Sequence, residues 1–239
     1  MNDSPHKFIV GLDLGQAKDY TAIAILERMP IATSEREQRW TGSHWSVQDR
    51  FDDTYLVRHL ERPQLHTPYP EIVAKLGAMM GSSELKGCTQ LVVDGTGVGR
   101  PVIDMLRSAG LAPVPVSITS GQQVTRNHGF VGVPKSILVS TMQILFQTQR
   151  IKISKALALR PKLLEELSNF KMRITKAGND TYEAWREAIH DDIVIAVALA
   201  AWYGESTRTG WRNGLTPRNN IAHHWDEAEA KLRRSGRFG

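Results

Sequence analysis

The chain has one cysteine, Cys88, among 239 residues. That excludes an intrachain disulfide framework and any metal site built from several thiolates, and it makes a reducing compartment the natural setting. Long hydrophobic runs are missing as well. The longest, Ile193 to Tyr203, has eleven residues, against the roughly 20 that a membrane-spanning helix needs. Met1 to Lys7 opens no secretory pattern, so a soluble cytoplasmic protein with no membrane partner is expected. An excess of charge of one sign is also lacking: 30 Lys+Arg stand against 25 Asp+Glu, a net +5. Such a balance is compatible with a polyanionic partner but does not require one. There is no internal repeat and no low-complexity block. The hydrophobic share of 41% and charged share of 23% are ordinary for a globular chain and exclude a wholly disordered one. The length suits one domain with a buried sheet.

The patterning supplies the elements. Phe8 to Leu14 (FIVGLDL) and Thr21 to Leu26 (TAIAIL) are β-branched apolar runs around a Gly/Asp turn, which predicts an antiparallel hairpin. Tyr55 to Leu60 predicts a third strand, with the polar stretch 28–53 as a long connection. Trp40 and Trp45 within it are expected to pack into the core or a satellite cluster, with base stacking as the alternative. From Pro70 the period becomes helical through Ile72, Val73, Leu76, Met79 and Met80. A strand at Gln90 to Asp94 feeds Gly95-Thr-Gly-Val-Gly99 and a helix that opens at Pro101 and is stopped by Gly110. Val114 to Thr119 reads as a strand, and Pro134 to Gln149 and Pro161 to Phe170 as helices. Ile151 to Ile153 and Lys171 to Thr175 read as short strands, and Asp191 to Tyr203 as a final helix. An antiparallel meander followed by alternating α and β elements predicts an α/β fold: a mixed sheet with helices on both faces. Residues 1–204 would form this domain. Residues 205–239, with seven basic and four acidic side chains, are expected to be a basic, flexible tail holding at most a short helix at Asp226 to Arg233.

Three acidic positions fall at the ends of apolar elements. Asp13 ends a strand that is apolar on both faces, so a buried carboxylate there needs a cation or donors. The alternative is a residue serving the Gly15 turn. Asp94 closes a strand at the edge where open α/β sheets place ligands, and it is equally an ordinary turn former. Asp191 and Asp192 precede a helix apolar all round, where a capping role is the alternative. Adjacent helical residues diverge by about 100°, which favours Asp192 as the main ligand and Asp191 as a support. Carboxylates from three segments, without a His/Cys cluster, suit hard cations such as Mg²⁺ or Mn²⁺. Two such ions serve phosphodiester hydrolysis. His190 is an auxiliary candidate, with a merely polar role as the alternative.

These residues resemble a known family. Gly11-Leu-Asp-Leu-Gly15 with Asp19 after it, Leu91-Val-Val-Asp-Gly-Thr-Gly-Val-Gly99, and His190-Asp-Asp-Ile-Val-Ile-Ala196 are similar in order and spacing to the nuclease domain of phage terminase large subunits, over roughly residues 7–204. The resemblance implies an RNase H-like fold and endonucleolytic cleavage of double-stranded DNA during genome packaging, by a cluster holding two Mg²⁺ or Mn²⁺ ions. Its core ligands would be Asp13, Asp94 and Asp192, with Asp191 and Asp19 beside them. Full large subunits also carry a packaging ATPase, and the sequence contains no GxxxxGK[ST] loop. A separate packaging ATPase, a portal or a small terminase subunit is therefore the implied partner. Lys171 and Arg173, alternating with Met172 and Ile174, and Lys152 and Lys155 are candidate DNA contacts, with a solvated face as the alternative. Three other readings stay open: an actin- or sugar-kinase-like ATP-binding protein, a DNA junction resolvase of the same fold, and an inactive nuclease-like module that binds DNA or the portal.

Overall fold

Strand β1 (Phe8–Asp13) is apolar on both faces and therefore lies inside a sheet rather than at its edge. The computed structural model describes residues 6–15, 19–40, 42–97, 99–176 and 191–207. In chain order β1 is followed by β2 (Ala22–Trp40), β3 (Trp45–Glu61), α1 (Tyr69–Met80), β4 (Thr89–Asp94), α2 (Gly99–Ser108) and β5 (Pro113–Thr119). Then come β6 (Thr125–Asn127), β7 (Phe130–Pro134), α3 (Lys135–Gln147), β8 (Ile151–Ile153), α4 (Arg160–Lys176) and α5 (Asp192–Ser206). The strands form one eight-stranded sheet in the order β6-β7-β5-β4-β1-β2-β3-β8. On one side of β1 runs the antiparallel meander through β2 and β3. On the other side β4, β5 and β7 follow in parallel. This is the expected α/β mixed sheet.

Alternation assigns the two faces. Ile9, Ala22, Ala24, Leu26 and Val92 face a layer formed by α3, α4 and α5. Val10, Leu12, Ile23, Ile25, Leu91 and Val93 face α1 and α2. Helix α5, apolar all round, is enclosed along most of its length. Its far end is tied down by a polar cluster. Arg150 donates to both carboxylate oxygens of Glu205 at 2.8 and 2.6 Å, and the Tyr55 hydroxyl donates to the same residue at 2.8 Å. Arg28 donates to the Gly204 carbonyl and to Thr207. The helix thus runs two residues past the expected boundary near Gly204, and Glu205 belongs to the folded body. Residues 208–239, including the short helix expected at 226–233, lie outside the described residues.

Three segments differ from expectation. Residues 28–53 are not a loose connection: β2 and β3 continue as a ladder to Trp40 opposite Trp45. The last pairing with β1 is Phe8 opposite Glu27, so thirteen residues of β2 project beyond it as an arm about 40 Å long. From Pro30 to Asp52 the described side chains are exposed or half-buried, and so no apolar alternation marks the outer arm. Trp40 and Trp45 are 53% and 66% exposed, against the expected packing. Their rings meet each other, with centroids 5.6 Å apart. Residues 171–175 are helical, not a strand, because α4 continues to Lys176. No Gly or Pro interrupts Lys162 to Lys176, and Lys, Met and Arg favour helix. Finally, β6 and β7 form an unexpected hairpin. Its two turn residues, His128 and Gly129, both have positive φ, 48° and 84°, as a tight hairpin turn requires.

Candidate metal centre

The register between β1 and β4 brings the first two carboxylates together. The strands are parallel, and Asp13 pairs with Asp94 as the last residue of each. Neighbouring strands stand about 4.8 Å apart, and residues in register share a face. That face is the one covered by α5, because Gly11, two residues before Asp13, abuts that helix. A Cβ on Gly11 would lie 1.9 Å from the backbone oxygen of Ala196 and 3.2 Å from the Ala200 Cβ. Only a residue without a side chain admits so close an approach. Two residues of strand rise about 6.6 Å, and the four helical residues from Ala196 back to Asp192 rise about 6 Å. One close contact at Gly11 therefore delivers the first turn of α5, with Asp191 and Asp192, over the ends of β1 and β4.

The electrostatics agree with this construction. The Asp13 carboxyl is held well above the usual carboxylate range, first by burial and then by the charges of Asp94, Asp192 and Asp191; Lys135 partly offsets them. Asp94 and Asp192 are buried. Asp94 also acts as the expected turn former: its Oδ1 accepts the Thr96 N–H at 2.8 Å. The capping alternative for Asp191 is not what the structure shows. Asp191 occupies the N-cap position but makes no side-chain capping bond, and instead Lys135 Nζ donates to its Oδ2 at 3.0 Å. Arg62, just after β3, donates through Nη2 to Asp192 Oδ2 at 2.7 Å, and its guanidinium carbon lies 3.7 Å from the Tyr20 ring centroid. The N–H groups of Ile193 and Val194 donate to Glu166 Oε2 from α4, at 3.0 and 3.1 Å.

Arg62, Lys135 and Glu166 escaped the sequence reading, though two of them left a signal. Lys135 opens a helix, where the dipole disfavours a cation. Glu166 lies three residues after buried Leu163, on the apolar stripe of its helix. Nothing local marks Arg62.

The donor set fits a hard dication. The oxygens it offers are carboxylate oxygens, the donors such ions take, and a cation there would relieve the crowding that raises the Asp13 carboxyl. In the present arrangement Asp191 and Asp192 each commit one oxygen to Lys135 or Arg62. Among the described residues no group of three or more His, Cys, Asp or Glu side chains stands ready-spaced for an ion. Binding one would require these side chains to draw inward.

The remaining candidates lie at the surface or outside the described residues. Asp19 is exposed and lines an open cleft of about 260 Å³ with Gly15, Thr21, His66 and Tyr69. Lys152 pairs with Leu56 on the edge strand β8. Three strands and five residues of rise put it roughly 20 Å from Asp13. Lys155, in the turn that follows, is exposed. His190 and the side chains of Lys171 and Arg173 lie outside the described residues. Among the described residues, no helix is long and apolar enough to cross a membrane.

No protein-family model matches the chain, and no curated protein is similar to it. Several solved structures are similar. The large terminase nuclease from thermophilic phage G20c aligns at 19% identity over 82% of this chain and 81% of that one, with a TM-score of 0.46. The same nuclease with bound zinc aligns at 22% identity over 82% and 80%, with a TM-score of 0.45. The human cytomegalovirus terminase nuclease domain, soaked with Mn, aligns at 14% identity over 83% and 84%, with a TM-score of 0.48.

Proposed function

We propose that the chain is a metal-dependent endonuclease that hydrolyses phosphodiester bonds of double-stranded DNA, of the terminase large-subunit type. The observation that carries this is the pairing of Asp13 with Asp94 at the ends of two parallel strands, beneath a helix start that bears Asp191 and Asp192. Asp13, Asp94 and Asp192 would hold two Mg²⁺ or Mn²⁺ ions, with Asp191 in support. When bound, such ions supply an activated water and neutralise the leaving oxygen.

The chain's own residues have separable tasks. Asp13 and Asp94 form the floor, since the strand ladder fixes the backbone of both. Asp192 comes from a different element and sets the height of the site. Arg62 and Lys135 screen the acidic cluster, holding Asp192 and Asp191. Because they are cations at the rim of an acidic site, they are also placed to meet a phosphate diester. Double-stranded DNA is the proposed substrate. A packaging ATPase, portal or small terminase subunit is the proposed partner, on the strength of the sequence resemblance.

The test is cleavage of supercoiled plasmid in Mg²⁺ or Mn²⁺ by the wild type and by Asp13→Asn, Asp94→Asn and Asp192→Asn, with matched melting curves. Each substitution should lower the rate by more than the roughly 10- to 100-fold that follows loss of an outer-shell partner. Cleavage that survives all three removes the proposed site. Much faster cutting of a four-way junction than of linear duplex would favour the resolvase reading.

A further inference from the structure

Helix α5 begins without a cap of its own. Asp191 holds the capping position, but its side chain is turned to Lys135. The first donors of the helix, the N–H groups of Ile193 and Val194, go instead to a single oxygen of Glu166, 27 and 28 positions earlier on α4. Glu166 is 1% exposed, and its other oxygen, Oε1, is buried with no hydrogen-bond partner among the described residues. Burying a carboxylate that is only half satisfied is unfavourable. A local Ser, Asn or Asp cap satisfies the same donors at the surface with no such burden. Helix stability alone therefore does not account for Glu166.

A remote cap does one thing that a local cap cannot. A local cap travels with its helix, whereas Glu166 fixes the first turn of α5 relative to a second helix. The residue immediately before the two captured N–H groups is Asp192, whose height above Asp13 and Asp94 is the one coordinate of the acidic cluster not fixed by the strand ladder. We infer that Glu166 is a positioning residue: it pins the start of α5 to α4 and so holds the Asp192 carboxylate in place for metal binding. The inference rests on the reading of the acidic cluster as a metal centre.

The test compares wild type with Glu166→Met, which fills the space but accepts no hydrogen bond, and Glu166→Gln, whose amide oxygen can accept both N–H groups. Three quantities are read: amide hydrogen exchange at Ile193 and Val194, Mn²⁺ affinity by titration calorimetry, and kcat and KM for plasmid cleavage. The methionine variant should lose protection at those two amides and bind Mn²⁺ about 10- to 100-fold more weakly. Its kcat should fall while KM for DNA stays near wild type. The glutamine variant should keep protection and bind Mn²⁺ within about threefold of wild type, since it retains the acceptor. Wild-type Mn²⁺ affinity and kcat in a folded methionine variant overturn the inference, as does a tenfold loss of affinity in the glutamine variant. Should the methionine variant not fold, the glutamine variant decides alone. If wild type itself binds no Mn²⁺, the metal reading fails, and the exchange data still show whether Glu166 pins the helix start.

Discussion

Replacing Gly11 by alanine adds one methyl group at the contact that places α5. The new Cβ would lie 1.9 Å from the Ala196 backbone oxygen, and real Cβ atoms essentially never approach a neighbour within 3.0 Å. The helix or the strand must therefore yield by at least about 1.1 Å. No side-chain rotation can relieve the clash, because the obstructing atom is backbone, in a helix tied by Glu166 at one end and by Arg28 and Arg150 at the other. Overpacking of this kind costs about 1–3 kcal/mol, which lowers the melting temperature by roughly 2–12 °C for a chain of this size. The catalytic effect should be larger than the loss of stability suggests. Asp192 moves with its helix, and a misplacement of about 1 Å costs on the order of 100-fold in rate. The assay is plasmid cleavage at a temperature where circular dichroism shows both proteins fully folded. Gly77→Ala serves as the control, since a Cβ there meets nothing within 4 Å; it should be neutral or slightly stabilising in its helix. A folded Gly11→Ala protein that cuts at the wild-type rate would refute the idea that this contact sets the geometry of the site.

Other outcomes follow from the same structure. Arg150→Ala should lower stability to urea by about 3–5 kcal/mol, because it strips the counter-ion from Glu205 beneath Tyr55; a loss below about 1 kcal/mol would show the pair to be solvated. Burial raises the Glu166 carboxyl to about 7 from 4.5, with Asp192 adding to the rise, while the Val194 and Ile193 N–H groups and Arg62 partly oppose it. Between those values the folded state binds more protons than the unfolded one. In chelator, the contribution of Glu166 to stability should therefore be largest below about pH 4.5 and fall as pH rises through 7, by roughly 3 kcal/mol at most. Glu166→Gln should flatten that slope in urea melts taken across pH. Because the Asp13 carboxyl is raised by burial and by its acidic neighbours, Mn²⁺ uptake should release protons and tighten with pH. Calorimetry in buffers of different ionisation enthalpy measures the release, and uptake with no proton exchange at any pH where the protein is folded would contradict it.

Where the pattern faced a core, the sequence was readable. The strand FIVGLD, the QLVVD strand and the apolar final helix stand where periodicity and flanking residues put them, and their terminal aspartates come together because strand parity and helix pitch are fixed by covalent geometry. The outer β2–β3 arm was not readable, since a segment whose described side chains stay exposed or half-buried needs no alternation. The strand expected at 171–175 arose from a two-residue alternation, K-M-R-I-T, that a continuing helix also tolerates. Arg62 could not be found at all: its partner Asp192 is 130 positions away, and a lone arginine after a strand has no local signature. The remote cap on α5 was hidden for the same reason, and a local capping role was open for Asp191 that Glu166 in fact fills.

The arm has a consequence for how freely the sequence can change. Strand β2 serves two masters: its first six residues lie against β1, with Ala22 opposite Asp13, and its remainder belongs to the projecting ladder. A slip in a ladder ordinarily propagates along its length and turns every side chain to the wrong face. Here the pairing is broken between Ala32 and Arg36, well before the strand reaches the sheet, and such an irregularity acts as a fuse. Insertions, deletions or exchanges between residues 36 and 49 can be absorbed there without shifting Ala22 past Asp13. The outer ladder is thus a stretch that can be rewritten while the chemistry at the opposite end of the sheet stays in register.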